Sequence, residues 1–428
     1  MTHAAHTTAD GPRERVAIVR LTTPVLRHVE PELALDELEG LARAAGAEVV
    51  LRLAQERDAA DPATLIGRGK AEQLGRAATE LDASLVIVDN ELTPAQTRNL
   101  TEVTGCRVID RTALILDIFA RRARTREGQL QVELAQLRYT LPRLAGSSAA
   151  LSRLGGGIGT RGPGETKLET DRRRIRHRIA VLEADIATVQ RRRGYLRARR
   201  RRSDVPVAAL VGYTNAGKTT LFNRLTGAGA VASDALFVTL DPLMRRVKLP
   251  DARQIVLADT VGFIDRLPHQ LVAAFHATLE EVASADLLLH VIDASAPDRD
   301  RHALAVERVL AEVGAETVPR LDVFNKADRL QPHERRGLAR TGAVVVSAAE
   351  GEGVADLLAS VVERLALDTV RTTLHFDRAD AADRSRLADL YRHARVIDEH
   401  DCGDERIEIV ADVPRRLLSR FATMTRTA

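Results

Sequence analysis

Val205-Pro206-Val207-Ala208-Ala209-Leu210-Val211-Gly212-Tyr213-Thr214-Asn215-Ala216-Gly217-Lys218-Thr219 is an apolar run closed by the spacing GxxxxGKT, and positions 220–225 continue it as a helical pattern. A strand, a glycine-rich turn and a helix in that order are what a phosphate-binding loop needs. The glycines let the amides of Gly212, Tyr213, Thr214, Asn215, Ala216 and Gly217 close around phosphate oxygens. Lys218 brings a point charge to the outer phosphates, and the Thr219 hydroxyl, with Thr220 beside it, reaches Mg²⁺ at the helix N-terminus. The unit around this loop is an α/β domain spanning 204–368.

Three further elements follow in order. Positions 254–258 read as a strand ending in Asp259-Thr260-Val261-Gly262, where Asp259 suits Mg²⁺ through water and the Gly262 amide suits a γ-phosphate. Positions 321–324 lead into Asn325-Lys326-Ala327-Asp328. A carboxylate at Asp328 accepts from the two NH donors on guanine's edge, whereas adenine presents an acceptor and leaves the carboxylate unpaired. Val344-Val345-Val346-Ser347-Ala348 then supplies a strand and a short loop for the guanine oxygen. The set implies GTP or GDP as bound nucleotide with Mg²⁺ held by Thr219, Thr239 and Asp259, and Lys218, Thr239 and Gly262 as the groups acting on the γ-phosphate. Thr239 is preferred over Thr226 for the mobile stretch 227–241, because Thr226 stands too near the helix end. Phe263 occupies the place where many GTPases carry a water-orienting glutamine, so intrinsic hydrolysis is expected to be slow.

Outward from this unit the chain changes character. From 16 to 124 strand-like runs at 16–21, 48–53, 84–88 and 107–109 alternate with helical patterns at 32–45, 70–81 and 94–103, which predicts a small parallel α/β domain over 1–124. Ile66-Gly67-Arg68-Gly69-Lys70 is either an anion cradle or a turn, and lacks phosphate-loop spacing. Over 125–203, Leu130, Leu134, Leu137, Leu141 and Leu144 repeat the 4-3 spacing of Ile175, Ile179, Leu182, Ile186 and Val189. Two such stripes predict an antiparallel helical hairpin, with Pro142 ending or kinking the first helix near Leu141 and the glycine-rich stretch 155–165 at the tip. The remainder, 369–428, reads as a small α/β appendage whose His375, His393 and His400 lack ligand spacing.

Charge is distributed unevenly. Of the 63 Lys+Arg and 60 Asp+Glu in 428 residues, 22 basic and 7 acidic residues fall between Arg121 and Arg202. Such an excess fits a polyanion, either nucleic acid or none if the face is merely solvated, and with only 3% aromatic residues it implies phosphate positioning rather than base reading. Cys106 and Cys402 are too far apart in sequence to suggest a disulfide framework, which makes the cytoplasm the expected compartment. No run reaches the length of a membrane span, and 1–15 lacks the apolar core of a secretory signal.

Taken with Ile66 to Lys70, the block Arg124-Thr125-Arg126-Glu127-Gly128-Gln129-Leu130-Gln131-Val132-Glu133-Leu134-Ala135-Gln136-Leu137, the glycine-rich 155–170, the GYTNAGK loop and Asp259-Thr260-Val261-Gly262-Phe263-Ile264, the chain resembles the HflX family of ribosome-associated GTPases over nearly its full length. The resemblance implies binding to the large ribosomal subunit, its rRNA and proteins, in the GTP form, with the hairpin directed toward the peptidyl-transferase region. It also implies splitting of stalled ribosomes under stress and hydrolysis accelerated by the ribosome. A monomer is expected. Phe263 agrees with the family's hydrophobic substitution. Resemblance to potassium-activated GTPases would make Asn215 a K⁺ ligand; the alternative is a bond within its own loop. Assembly of large subunits, protein-effector signalling and tRNA modification stand as other uses of such a switch, the last needing a cofactor site that the sequence does not display.

Overall fold

The computed structural model describes residues 13–26, 29–144, 163–201, 205–229, 236–237, 239, 243–249, 253–266, 279, 281–340, 343–365, 369–403 and 405–421. The N-terminal unit runs β1 (Glu14–Thr22), α1 (Pro31–Ala44), β2 (Ala47–Glu56), α2 (Arg68–Glu80), β3 (Leu85–Val88), α3 (Pro94–Thr104), β4 (Arg107–Asp110) and α4 (Arg111–Arg122). Its four strands are parallel in the order β2-β1-β3-β4. β3 is buried throughout and β1 over its last seven residues, as central parallel strands covered on both faces must be. α3 shows why its bounds are sharp: Thr93 and Gln96 form a capping box, Pro94 opens the first turn, and Gly105 closes the end at φ 70°. Gly67 caps α2 and gives its amide to Gln55 at 2.9 Å, so the 66–70 stretch is built as a helix start tied to β2.

Next come α5 (Arg126–Arg143) and α6 (Pro163–Arg201), the latter 39 residues and so about 58 Å long. Leu130, Leu134 and Leu182 are buried in the seam, with Leu137, Ile179 and Ile186 packed against them. Arg178 to Glu133 (2.7 Å) and Arg138 to Glu183 (2.7 Å) flank it. α5 runs to Arg143, one residue past Pro142 and so near the end expected at Leu141, and Leu144 closes it on the Thr140 carbonyl. In the last turn the proline's missing NH forfeits a single bond. Positions 163–165, expected in the loop, form the first turn of α6, where proline is favoured. The glycine-rich positions 155–162 lie outside the described residues.

The central unit contains β5 (Val207–Val211), α7 (Lys218–Thr226), β6 (Leu243–Lys248), β7 (Gln254–Asp259), β8 (Leu287–Asp293), α8 (Arg299–Glu312), β9 (Arg320–Asn325), α9 (Pro332–Ala339), β10 (Val344–Val345) and α10 (Val354–Arg364). The sheet order is β10-β9-β8-β5-β7-β6, with β6 alone antiparallel to its neighbour. Its register sets Leu210 beside Asp259 and Asp293 beside Asn325, which brings the carboxyl ends of four strands to one edge. The last unit is β11 (Thr369–Asp377), α11 (Ala381–His393), β12 (Arg395–Gly403), β13 (Arg406–Pro414) and α12 (Leu418–Phe421), an antiparallel sheet in the order β11-β13-β12 over a core of Leu374, Phe376, Leu390 and Ile409.

One apolar cluster runs across the N-terminal and central units. Leu38, Leu41, Phe119 and Val132 belong to the same buried cluster as Phe237, Val261, Phe263 and Val306. Phe119 meets Phe237 edge to face at 4.6 Å. No helix among the described residues is long and apolar enough to cross a membrane.

Candidate functional site

The loop between β5 and α7 lies at the carboxyl edge of the central sheet. Gly217 has φ 90°, and a side chain there would collide with the Asn325 amide, so only glycine suits the turn into α7. Lys218 is buried and donates to the carbonyls of Gly212 (3.0 Å) and Tyr213 (2.7 Å). Burial lowers its ammonium to about 8, against the pull of Asp259. The lysine is thus held ready for anionic oxygens that would relieve its desolvation.

Three oxygens converge beside it. Thr219 Oγ1 lies 2.8 Å from Thr239 Oγ1, and both hydroxyls donate to Asp259 Oδ2, at 2.9 and 3.0 Å. Among the described residues Asp259 Oδ1 is buried without a partner, and burial raises the carboxyl above its ordinary range. An orphaned carboxylate oxygen next to two hydroxyls, all hard donors, fits Mg²⁺. Thr226 faces elsewhere, its hydroxyl donating to the Phe222 carbonyl at 2.7 Å. Thr220 sits half-buried on the first turn of α7.

The segment after Asp259 lies against the loop. Phe263 NH donates to Gly212 O at 3.1 Å, and Thr214 NH donates to Phe263 O at 2.7 Å. A Cβ on Gly262 would stand 2.9 Å from Thr214 Cγ2 and 3.1 Å from Lys218 Nζ, so glycine is required for this approach. Thr260 is turned inward, donating to Leu210 O at 2.6 Å, and Val261 is in the core. The Phe263 ring is 1% exposed and packs between the two units. Asn215 is exposed at φ 61°, with no side-chain hydrogen bond within its loop among the described residues.

The base-binding elements are linked through Asn325. Its amide donates to Ala216 O (2.9 Å) and its oxygen accepts from Ala348 NH (2.9 Å), so this side chain ties the phosphate loop to the 347–348 loop. Ser347 Oγ donates to Asp328 Oδ1 at 2.6 Å, which leaves the second carboxylate oxygen for a base. Lys326 pairs with Asp293 at 2.7 Å. Burial pushes the Asp293 carboxyl up, but Lys326 and Ser295 together hold it below its usual range.

Tyr213 does something its place in the loop does not announce. Its ring stacks on His302 at 3.8 Å, its hydroxyl donates to Glu37 (2.6 Å) and accepts from Asp265 NH (2.8 Å), and burial and Glu37 raise it well above its ordinary value. Glu37 also pairs with Arg111, which bonds Asp89 at 2.9 Å; Asp89 receives Arg20 and, at 2.6 Å, Arg266. Sequence reasoning missed this network. Arg20 within the apolar strand VAIVRLT and Asp89 closing the apolar run LVIV were its visible signals, since a charge inside a central strand must find a buried partner.

The chain is similar to known proteins along most of its length. Residues 32–120 match the family described as GTP-binding GTPase N-terminal, 122–200 that described as GTP-binding GTPase Middle Region, and 207–326 that described as 50S ribosome-binding GTPase. The GTPase HflX of Caldanaerobacter subterraneus subsp. tengcongensis is 46% identical over 409 residues, which cover 96% of this chain and 93% of that protein. The GTPase HflX of Escherichia coli strain K12 is 48% identical over 360 residues, 83% of this chain and 84% of that one. Among solved structures, a GTP-binding protein from Sulfolobus solfataricus in complex with GDP aligns over 82% of this chain and 98% of its own at 23% identity, with a TM-score of 0.44.

Proposed function

The chain belongs to the HflX family of GTPases, it hydrolyses GTP, and on that premise we propose that hydrolysis resets a factor which binds the large ribosomal subunit and splits or rescues stalled ribosomes under stress. The observation that carries the ribosomal reading is the exposed face of α6. Arg173, Arg174, Arg176, Arg191 and Arg192 are exposed there, along a helix long enough to reach far from the nucleotide site. Guanidinium groups so spaced gain by displacing counterions from a phosphate backbone, and rRNA is the polyanion in keeping with the family.

At the nucleotide site, Lys218 and the Gly262 amide would meet the γ-phosphate, and Asp328 with the 347–348 loop would select guanine. Thr219, Thr239 and Asp259 would hold Mg²⁺, which when bound neutralises charge on the phosphate oxygens. Asn215, exposed beside the phosphate positions, would hold K⁺. Phe263 supplies no hydrogen bond to water, so unassisted hydrolysis is slow and the ribosome accelerates it.

The test is GTP hydrolysis in K⁺ and in Na⁺ buffer, with and without large subunits, beside sedimentation of intact ribosomes. Stimulation by subunits together with splitting supports the reading. Stimulation without splitting moves the role to subunit assembly, and no stimulation removes the ribosome from it. Shortening 155–164 should spare nucleotide binding and impair splitting; unchanged splitting would reduce that stretch to a linker.

A further inference from the structure

The charged network at the carboxyl ends of β1 and β3 lies outside the nucleotide site but holds the segment after Gly262. Asp89 closes β3 and receives Arg20 from β1, Arg111 from the start of α4 (2.9 Å) and Arg266 (2.6 Å) from the segment after Gly262. Arg111 also donates to the Asp265 carbonyl at 3.2 Å. In an open parallel sheet this edge is where ligands dock. Here the ligand is a side chain of the central unit.

Two features mark Arg266 as a ligand that can leave. The first is charge: Arg20 and Arg111 balance Asp89 and Glu37 without it, so Arg266 is the third guanidinium on two carboxylates, and its field opposes that of Arg20. Arg20 and Asp89 are wholly buried while the Arg266 side chain is 30% exposed. Withdrawing Arg266 therefore strands no buried charge, whereas withdrawing any other member does. The second is backbone strain: Arg266 has φ 53°, a left-handed conformation that a non-glycine residue holds only when its surroundings impose it.

The other side of the network reaches the hairpin. Asp110, adjacent in sequence to Arg111, caps α4 through Ala113 NH (2.9 Å) and accepts from Tyr139 Oη (2.8 Å) and Arg143 (3.0 Å), both on α5. Arg143 also donates to the Leu92 carbonyl at 2.9 Å. Arg266, Asp89, Arg111, Asp110 and Arg143 thus form one bonded route from the segment after Gly262 to the helix that carries α6.

We propose that the N-terminal domain reads the nucleotide state: Arg266 occupies the Asp89 crevice in one of the GTP and GDP states and leaves it in the other, and Asp110 conveys the change to α5. Arg266 is a positioning residue in this scheme and touches no nucleotide. The proposal rests on the reading of 259–266 as the nucleotide-sensing segment, and is independent of the ribosome.

The test is backbone hydrogen exchange on the full chain, loaded with GDP or with a non-hydrolysable GTP analogue. In the wild type, exchange should differ between the two at 259–265 and, by about fivefold or more, at 107–111 and 126–143. Arg266→Gln should retain the difference at 259–265 and lose it at the two distant segments, and Arg266→Lys should restore it in part. Arg143→Gln, which leaves the crevice intact, should keep the response at 107–111 and lose it over 126–143. A distant difference that persists in Arg266→Gln, or is missing in the wild type, overturns the proposal. If 259–265 itself ignores the nucleotide, the switch reading falls with it. A ribosome-binding failure would leave all these outcomes unchanged, so the two ideas fail separately.

Discussion

Raising the pH should weaken nucleotide binding through Lys218 alone. In the free protein its ammonium is buried and its value lies at about 8, against 10.5 for an ordinary lysine. That displacement corresponds to about 3 kcal/mol of desolvation that the empty loop carries at neutral pH. Bound phosphates supply the missing counter-charge, so the nucleotide complex holds the proton where the free protein releases it. Linkage then fixes the sign: below about pH 8 both states are protonated and affinity is flat, and above it binding must take up a proton. Between pH 7 and 9 the Kd for Mg-GDP should rise about tenfold, about 1.4 kcal/mol. The stability of the empty protein responds oppositely, since the unfolded chain keeps its lysine proton up to 10.5 and this group's penalty fades as pH climbs past about 8. Isothermal calorimetry in two buffers of different ionisation enthalpy measures the Kd and the protons taken up on binding. The proton uptake should approach one per nucleotide at pH 9, a limit chosen to stay below ring ionisation of guanine. A flat Kd with no proton uptake would refute the argument that burial lowers the Lys218 ammonium.

Asp328→Asn should reduce preference for GDP over ADP by at least about a hundredfold, read by competition against a fluorescent nucleotide, because an amide cannot accept from both guanine donors. Ser347→Ala should weaken GDP about fivefold in the same assay by removing the bond that orients Asp328. Phe263→Gln should fail to speed hydrolysis and should lower thermal stability, by about 3 kcal/mol, since the ring fills the core between the two units and an amide there would be buried without partners. Tyr195 is 79% exposed on α6 beside Gly194, whose position faces open space, and stands one turn from Arg191 and Arg192. Tyr195→Ala should weaken binding to large-subunit rRNA about fivefold with the salt dependence unchanged, because stacking and not a phosphate contact is lost; Tyr195→Phe should bind as the wild type does.

The nucleotide site was legible because its chemistry is local. A strand, a loop of fixed spacing and a helix follow one another in 205–226, and the residues that must face phosphate are neighbours in sequence. The parallel N-terminal sheet was legible for a similar reason: runs such as Val16 to Leu21 and Leu85 to Val88 are apolar on both faces, and helical spacing separates them. What pattern reasoning could not supply were contacts between distant positions. Asp89 and Arg266, or Glu37 and Tyr213, pair across two units, and neither spacing nor composition relates them. Asn325 carries contacts of the same long-range kind. Its motif marks it for the base, and its side chain also joins Ala216 to Ala348, a tie between two loops that the motif does not announce. Pro142 was a legible local signal, since the helix ends one residue beyond it.

The replacement of glutamine by phenylalanine acquires a physical meaning from the interface. A glutamine at position 263 would have to face solvent near the phosphates to orient water; the phenyl ring instead joins Phe237, Val261 and Leu38 in the core shared by the two units. The segment after Asp259 is thereby packed on the N-terminal domain by an apolar anchor, while Arg266 attaches it by charge. These contacts differ in how easily they release. An apolar ring leaving a core loses about 3 kcal/mol, whereas the surplus guanidinium leaves a network already neutral without it. The segment can therefore rearrange around Phe263 as a fixed point, and a movement at Gly262 is carried to Arg266 rather than absorbed at the interface. A GTPase without its own water-orienting side chain gains from such a linkage, because whatever binds the hairpin can act on the nucleotide by the same route along which the nucleotide acts on the hairpin.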